Sequence, residues 1–596
     1  MSFRRRLLTL LAALATVFPA LGAFAGPLPA TTGPPANAFR LPKLAVIISV
    51  DGLNWDRLAG YRPYFTDGLR RLLDEGHVEQ EARYRHLNTE TAPGHASLGT
   101  GAPPRVTGIV GNLWYGPKAD GTLGEVSCTG QTVDDAKTGE RTVIQGPGNL
   151  RIPTFGDRLV DKYSGSRVVA ISGKDRGSIF LAGRNPHHAV YWFDTETGRF
   201  KSSAAYDTKF PAGSVVLGIV TRYNRSRAAG WLPGRFGLIW KKLTTPVPPG
   251  VDERTERPVP SAEMAQYQLP VLGLGWDHDL TKSTSGYFGG IFSSPFIDEM
   301  VADLAIEVLA DKTLALGRRD DPDLLCLSFS GQDGVSHNYG PESEESLDLL
   351  RRLDVQIGRV LQELERVSPG GVVVAFSADH GFSPIPEASK RRDAQFKGGR
   401  VPWGTYANTP FLARLNRAID DSLCLPEGAK PIFGVEGFNL RYDLPKLPML
   451  RSAEGECGAA GRVVTREDVD RVLPGVVRRL WFEEFSGVLL SSQKDAWDPK
   501  NPAVEFARNA YDAERSGDAM LIPRPGVVMG WDPARGTSHG SHSEPDIHVP
   551  LIFWGAGIPR KVSAVPSAPY DLAPTLGALL GVAVPDAVGR ALLRAK

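Results

Sequence analysis

Short apolar runs that end at acidic or histidine residues set the pattern of this chain. Leu44 to Val50 is followed by Asp51, Leu324 to Ser330 by Asp333 and His337, and Val372 to Ser377 by Asp379 and His380. Runs of this kind, β-branched and bounded by Gly and Asp, read as buried strands of a parallel sheet. Between the second and third runs, Leu347, Leu350, Leu353, Ile357, Val360, Leu361 and Leu364 form an apolar stripe that predicts a helix over Glu344 to Val367. Strand, helix and strand in that order predict a right-handed parallel crossover. Val549 to Trp554 reads as a further core strand and Leu572 to Leu580 as a closing helix. Residues 180–290 and 385–535 are rich in Pro, Gly and aromatics, break this rhythm, and are expected as insertions. The expected fold class is α/β, a mostly parallel central sheet flanked by helices, with large insertions over the carboxyl ends of the strands. Ligands of such sheets bind beyond those ends, so residues hundreds of positions apart should converge on one rim. They are of the types that bind divalent metal, which points to a two-metal hydrolase of phosphate esters.

Composition refines this picture only a little. A chain of 596 residues exceeds one minimal core. Its 68 Lys+Arg balance 67 Asp+Glu, so no global field would draw nucleic acid, and an anionic substrate must be held by local groups. Arg4-Arg5-Arg6, the apolar stretch Leu7 to Leu21 and Ala23-Phe24-Ala25 predict a secretory signal at 1–25, a linker at 26–42 and a catalytic domain at 43–596. The adjacent arginines leave a twin-arginine export route open. No other stretch is long and apolar enough to span a bilayer. The mature chain is therefore expected to be periplasmic or secreted, with no stable membrane anchor. Cys128, Cys326, Cys424 and Cys457 are too scattered for a disulfide scaffold. Cys326 is expected to be buried in its strand, and Cys424 and Cys457 share one insertion and could pair.

The candidate nucleophile lies in Asn88-Thr-Glu-Thr-Ala-Pro-Gly-His-Ala-Ser-Leu-Gly-Thr-Gly101. Pro93 and Gly94 suit a sharp turn into a helix, which would place the Thr91 hydroxyl at a ligand-facing helix N-terminus or make it only an N-cap. Thr89, Ser97 and Thr100 are the alternatives. A bound Zn²⁺ would favour the threonine alkoxide.

Asp51, the Thr-x-Pro-Gly-His motif at Thr91, Asp333-x-x-x-His337, Asp379-His380-Gly381 and His539-Gly540-Ser541 stand in the order of the alkaline phosphatase superfamily. The chain most resembles its type I phosphodiesterase/nucleotide pyrophosphatase group, and within that the PafA-like phosphate-irrepressible alkaline phosphatases. The resemblance extends to the tail Tyr570-Asp-Leu-Ala-Pro-Thr-Leu576. It implies two zinc ions per chain, one held by Asp51, Asp379, His380 and the Thr91 oxygen, the other by Asp333, His337 and His539. His542 is the next choice for the last ligand; His548 and an exposed His187-His188 pair are expected to be structural. The resemblance also implies that Asn112, Lys174 and Arg176 hold the non-bridging phosphoryl oxygens. Lys174 and Arg176, two apart in an extended segment after Arg167 to Ile171, should point to one side.

The activity so implied is that of an exported, monomeric phosphatase acting on small phosphate monoesters through a phosphothreonine and releasing inorganic phosphate. A phosphodiesterase or nucleotide pyrophosphatase with the same metals is the alternative, and Trp114 and Tyr115 could line its second-ester pocket. No Cys/Ser-x-Pro-x-Arg segment supports a sulfatase. A binding protein would not need nucleophile, ligands and clamp together. Zinc is the expectation of the resemblance; the ligand set alone also accepts Mn²⁺ or Co²⁺.

Overall fold

The computed structural model describes residues 41–595, apart from 119–120, 135–140, 232–238, 245–247, 249–256, 403–408, 445–446, 451–460 and 531. The expected signal segment and residues 26–40 of the expected linker lie outside the described residues.

Among the described residues nine strands form the central sheet. Their order is Lys561–Ser563, His77–Glu79, Leu551–Gly555, Val372–Ser377, Leu44–Val50, Asp323–Phe329, Val168–Ser172, Ala189–Asp194 and Arg199–Lys201. The strands from Val372–Ser377 to Ala189–Asp194 are mutually parallel. Leu551–Gly555 lies in the sheet as expected but runs antiparallel to both neighbours. Leu44–Val50 is central, and the strands before and after the Glu344–Val367 helix flank it on either side.

Register divides the strand residues between two layers. Val46, Leu325 and Val374 belong to the larger apolar core, which they share with the helices Phe296–Ala310 and Glu344–Val367. The expected stripe of the second helix is buried there, and Ser343 caps its start by accepting from Ser346 N at 3.1 Å. On the opposite face Cys326 donates from Sγ to Leu181 O, in the helix Asp175–Ala182, which packs with the helix Thr91–Thr100. Both sheet faces are covered, which is why these strands are continuously apolar rather than alternating.

Residues 385–535 carry a core of their own. An antiparallel sheet of Ile432–Glu436, Asn439–Tyr442, Ala519–Pro523 and Phe485–Leu490 packs with the helices Pro410–Leu423 and Arg466–Leu480. The segment 180–290 departs from the expected insertion, because Ala189–Asp194 and Arg199–Lys201 extend the central sheet. The aromatics Tyr191, Trp192 and Phe193 are buried in that strand, as aromatics fit a pleated surface. The expected exposed histidine pair is also divided: His187 is exposed, whereas His188 is buried 3.1 Å from Asp157 Oδ1. Cys128 and Cys326 are free and buried, Cys424 is disulfide-bonded, and Cys457 lies outside the described residues. Among the described residues no helix is long and apolar enough to cross a membrane.

Ile48 is fully buried in the central strand. Ile48→Ala should cost about 2–5 kcal/mol in urea unfolding; a cost below about 1 kcal/mol would contradict the packing of this layer.

Candidate active site

The ends of adjacent strands supply the carboxylates. Asp51 donates its amide to Phe329 O at 2.9 Å, and Gly52 turns the chain at φ 75°. Asp379 Oδ1 accepts from Gly52 N at 3.2 Å and from His380 N at 3.0 Å. Asp333 and His337 stand on one face of the helix Gly331–Tyr339, with His337 Nε2 3.4 Å from Asp333 Oδ1. His539 reaches the same oxygen with Nε2 at 3.6 Å, and its ring stacks on His380 with centroids 3.6 Å apart. Asp51, Asp379 and His380 bring ligand atoms within 4.8 Å of one another, and so do Asp333, His380 and His539. His380 thus stands between two groups, where the resemblance assigned it to one, while His337 meets Asp333 from outside the second compact trio. His542 lies against Phe506 and His548 on Gln80 O at 2.7 Å, both apart from this cluster.

The histidines are oriented alike. Nδ1 of His337, His380 and His539 faces the carbonyl oxygens of Thr537 at 2.9 Å, Gly381 at 2.8 Å and Thr89 at 2.8 Å. A carbonyl only accepts, so Nδ1 carries a proton and Nε2 is left toward the carboxylates, as in metal-ligating histidines. Asp51 Oδ1 and Oδ2, Asp333 Oδ1, Asp379 Oδ2 and His380 Nε2 are buried without a hydrogen bond. Such atoms are costly to bury unpaired. As a set of carboxylate and imidazole donors they fit a divalent cation with open coordination positions.

A buried ammonium offsets part of this charge. Lys174 Nζ lies 2.6 Å from Asp51 Oδ2, 2.6 Å from Asp333 Oδ2 and 3.1 Å from Thr91 Oγ1. The Asp51 contact is a close ion pair whose angle makes no hydrogen bond. Burial pulls the Lys174 ammonium down, but Asp333 and Asp51 outweigh it and raise its pKa. Burial likewise pushes Asp333 and Asp51 up, and Lys174 together with the neighbouring histidines more than reverses this, holding both well below the usual carboxylate range. Burial, then the Asp51 charge, raise Asp379. His380 is depressed by burial yet pushed up to about 9 by Asp379 and Asp51, whose charge favours a cation at this position.

Thr91 opens the buried helix Thr91–Thr100; Glu90 holds the N-cap position, so the Thr91 hydroxyl is not a cap. Gly94 makes this approach possible, because a Cβ there would lie 1.9 Å from Asp379 O. Thr89 Oγ1 donates to Ser541 O and Thr100 Oγ1 to Ala96 O, and Ser97 is fully buried. Thr91 lines a cavity of about 580 Å³ together with Asn112, Lys174, Arg176, Asp333, His337 and His539. Asn112 Oδ1 accepts from Ala92 N at 3.0 Å, which leaves Nδ2 as its donor for a ligand. Lys174 and Arg176 do not share the expected extended segment. The strand runs on to Ser172, Lys174 is an N-cap, and Arg176 lies in the first turn of Asp175–Ala182 with Nε unpaired. Trp114 and Tyr115 pack elsewhere, under Arg515 and against Phe433.

Glu436, which sequence reasoning missed, also lines the cavity. The insertion strand Ile432–Glu436 delivers it, and burial with neighbouring Glu90 and Glu125 pushes its carboxyl up to about 9. No local pattern marks it, because only folding of the insertion brings it to the site. His95 was in plain view in the Pro-Gly-His motif; its Nε2 lies 2.9 Å from Ser328 Oγ and its Nδ1 2.8 Å from Thr91 O, fastening the Thr91 helix to the sheet.

A parallel-sheet rim of buried carboxylates and imidazoles around a helix-starting hydroxyl is the centre of a metal-dependent phosphoesterase. The chain belongs to the type I phosphodiesterase/nucleotide pyrophosphatase family, whose model matches residues 45–398. It is 29% identical over 568 residues to alkaline phosphatase PafA of Elizabethkingia meningoseptica, covering 93% of this chain and 94% of that protein. Alkaline phosphatase PhoK of Sphingomonas sp is 29% identical over 556 residues, covering 91% and 89%. A crystal structure of PafA with four substitutions matches at TM-score 0.75 and 25% identity, over 93% of this chain and 99% of that one.

Lys174→Met should leave Asp51 and Asp333 without their cation. In the presence of chelator it should lower stability by about 3–5 kcal/mol, the cost of breaking a buried pair. Calorimetric melting with chelator checks this, and a melting temperature equal to wild type would contradict the ion-pair assignment.

Proposed function

We propose that the protein is an alkaline phosphatase that hydrolyses phosphate monoesters through a phosphothreonine at Thr91. The placement of Thr91 Oγ1 carries this assignment: it starts a buried helix, 3.1 Å from the Lys174 ammonium, in a cavity shared with Asn112 and Arg176. Similarity to two alkaline phosphatases over most of the chain supports it. Asp51, Asp379, His380 and the Thr91 oxygen would hold one Zn²⁺, and Asp333, His337 and His539 a second. When bound, zinc supplies Lewis acidity that favours the threonine alkoxide and eases the charge that develops on the reacting oxygens.

The residues of the chain then have separable tasks. Thr91 Oγ, as the alkoxide, attacks phosphorus, forming the Oγ–P bond as the ester P–O bond breaks and the alkoxide or phenolate departs on the opposite side, to be protonated by water. Water next attacks the phosphothreonine, breaks the Oγ–P bond and releases inorganic phosphate. Lys174 steadies Oγ1, while Asn112 Nδ2 and the Arg176 fork hold non-bridging oxygens. A monoester dianion has one more anionic oxygen than a diester, so these donors favour the monoester. Trp114 and Tyr115 are absent from the cavity wall, so a second-ester pocket for the diesterase alternative would have to be built from Trp192, Phe193, Phe292 and Phe438, which line it instead. The protein is read as exported to the periplasm or beyond, with the signal-like segment at 1–25 as support, and as a monomer acting on small phosphate esters.

Thr91→Ala should lower kcat/KM on p-nitrophenyl phosphate by more than about a thousandfold, as loss of a nucleophile does. Full activity in that variant would remove Thr91 from the mechanism. Exhaustive chelation should abolish turnover and added Zn²⁺ restore it. On the zinc-loaded wild type, p-nitrophenyl phosphate should be strongly preferred to its methyl diester, and the reverse preference would favour the phosphodiesterase.

A further inference from the structure

Asn88 has no part in the chemistry above, yet it touches several walls of the site. It is 1% exposed and holds φ 59°, a left-handed conformation that Asn tolerates better than most side chains. Each of its hydrogen-bonding groups is engaged. Its amide N donates to Gly540 O at 2.9 Å, beside His539, and its own carbonyl accepts from Glu90 N at 2.8 Å. Nδ2 donates to Val110 O at 3.1 Å, two residues before Asn112. Oδ1 accepts at 3.2 Å from Phe438 N, in the turn that joins the insertion strands Ile432–Glu436 and Asn439–Tyr442. Gly437 in that turn sits at φ 52° and so close that a Cβ would lie 2.7 Å from Asn88 Oδ1 and 3.0 Å from Glu90 Oε1. The next residue, Thr89, accepts from His539 Nδ1 and donates to Ser541 O.

We infer that Asn88 is a positioning residue, whose side chain ties the Val110–Asn112 segment to the insertion turn at Phe438 and so holds the Asn112 clamp in place beside the Thr91 helix. The role rests on the monoesterase assignment, because it acts through the Asn112 clamp. Nucleophile, clamp and cavity wall come from separate parts of the chain. Asn88 is the point where they share one buried side chain, and small misplacements of reacting groups are expensive in rate. The insertion thereby becomes part of the catalytic geometry rather than a cover over it.

The test uses the zinc-loaded full chain with Asn88→Gly, which keeps the left-handed backbone but removes both side-chain bonds. Gly437→Ala, which pushes the turn off Asn88 from the other side, is the second variant. The readouts are kcat/KM on p-nitrophenyl phosphate and on its methyl diester, orthophosphate affinity by calorimetry, and thermal melting. The expected result is a monoester kcat/KM lower by about tenfold to a hundredfold with a diester loss under about threefold, in at least one variant that melts near wild type. Orthophosphate affinity should fall about tenfold alongside it, since the clamp binds the same oxygens. Equal losses on both esters, no loss on either, or unfolding of both variants would overturn the inference. If wild type hydrolyses neither ester, the monoesterase assignment fails, and orthophosphate affinity then decides on Asn88 by itself.

Discussion

Three buried carboxylates with too few donors dominate this protein. Asp51 and Asp379 are fully buried and Asp333 nearly so, and an unpaired buried ion costs several kcal/mol. The surroundings answer that cost. Lys174 is drawn between Asp51 and Asp333, Asp379 and Asp51 raise the pKa of His380, and the histidines turn Nε2 inward on backbone carbonyls. These responses are those of a site shaped for cations, and they place the Thr91 hydroxyl against the same charge.

The sheet makes that concentration of charge possible. Leu44–Val50 sits between Asp323–Phe329 and Val372–Ser377 in matched register, so residues following all three strands emerge side by side. The face opposite the larger core is lined near this rim by Ser49, Ser328 and Ser377, small enough to admit a wholly buried helix. Gly94 lets that helix rest on the Asp379 turn, and Gly177, whose Cβ would meet Ser172 and Ser328, lets its neighbour do the same on the sheet.

Much of this is legible in the sequence for physical reasons. Strands covered on both faces are continuous apolar runs, and Glu344–Val367, with one face in the core, displays its stripe. The site residues are recognisable because they follow those strands in order. Strand direction is not written in composition, so the reversal of Leu551–Gly555 is invisible, as is the recruitment of the aromatic Ala189–Asp194 segment to the sheet. The place of His380 between two groups depends on stacking with His539, and the helical turn at Arg176 on a strand that runs one residue further than its apolar pattern. The bond between Asn88 and Phe438 spans 350 positions, and no local signal announces it.

The measurement that tests the central claim most directly is rapid acid quench of the zinc-loaded protein during turnover of p-nitrophenyl phosphate, followed by peptide mass spectrometry. A phosphoryl group on Thr91, present with substrate and lost as substrate is exhausted, is the predicted result. Phosphorylation of Thr89, Ser97 or Thr100 instead, or full turnover with no phosphorylated peptide, would contradict it.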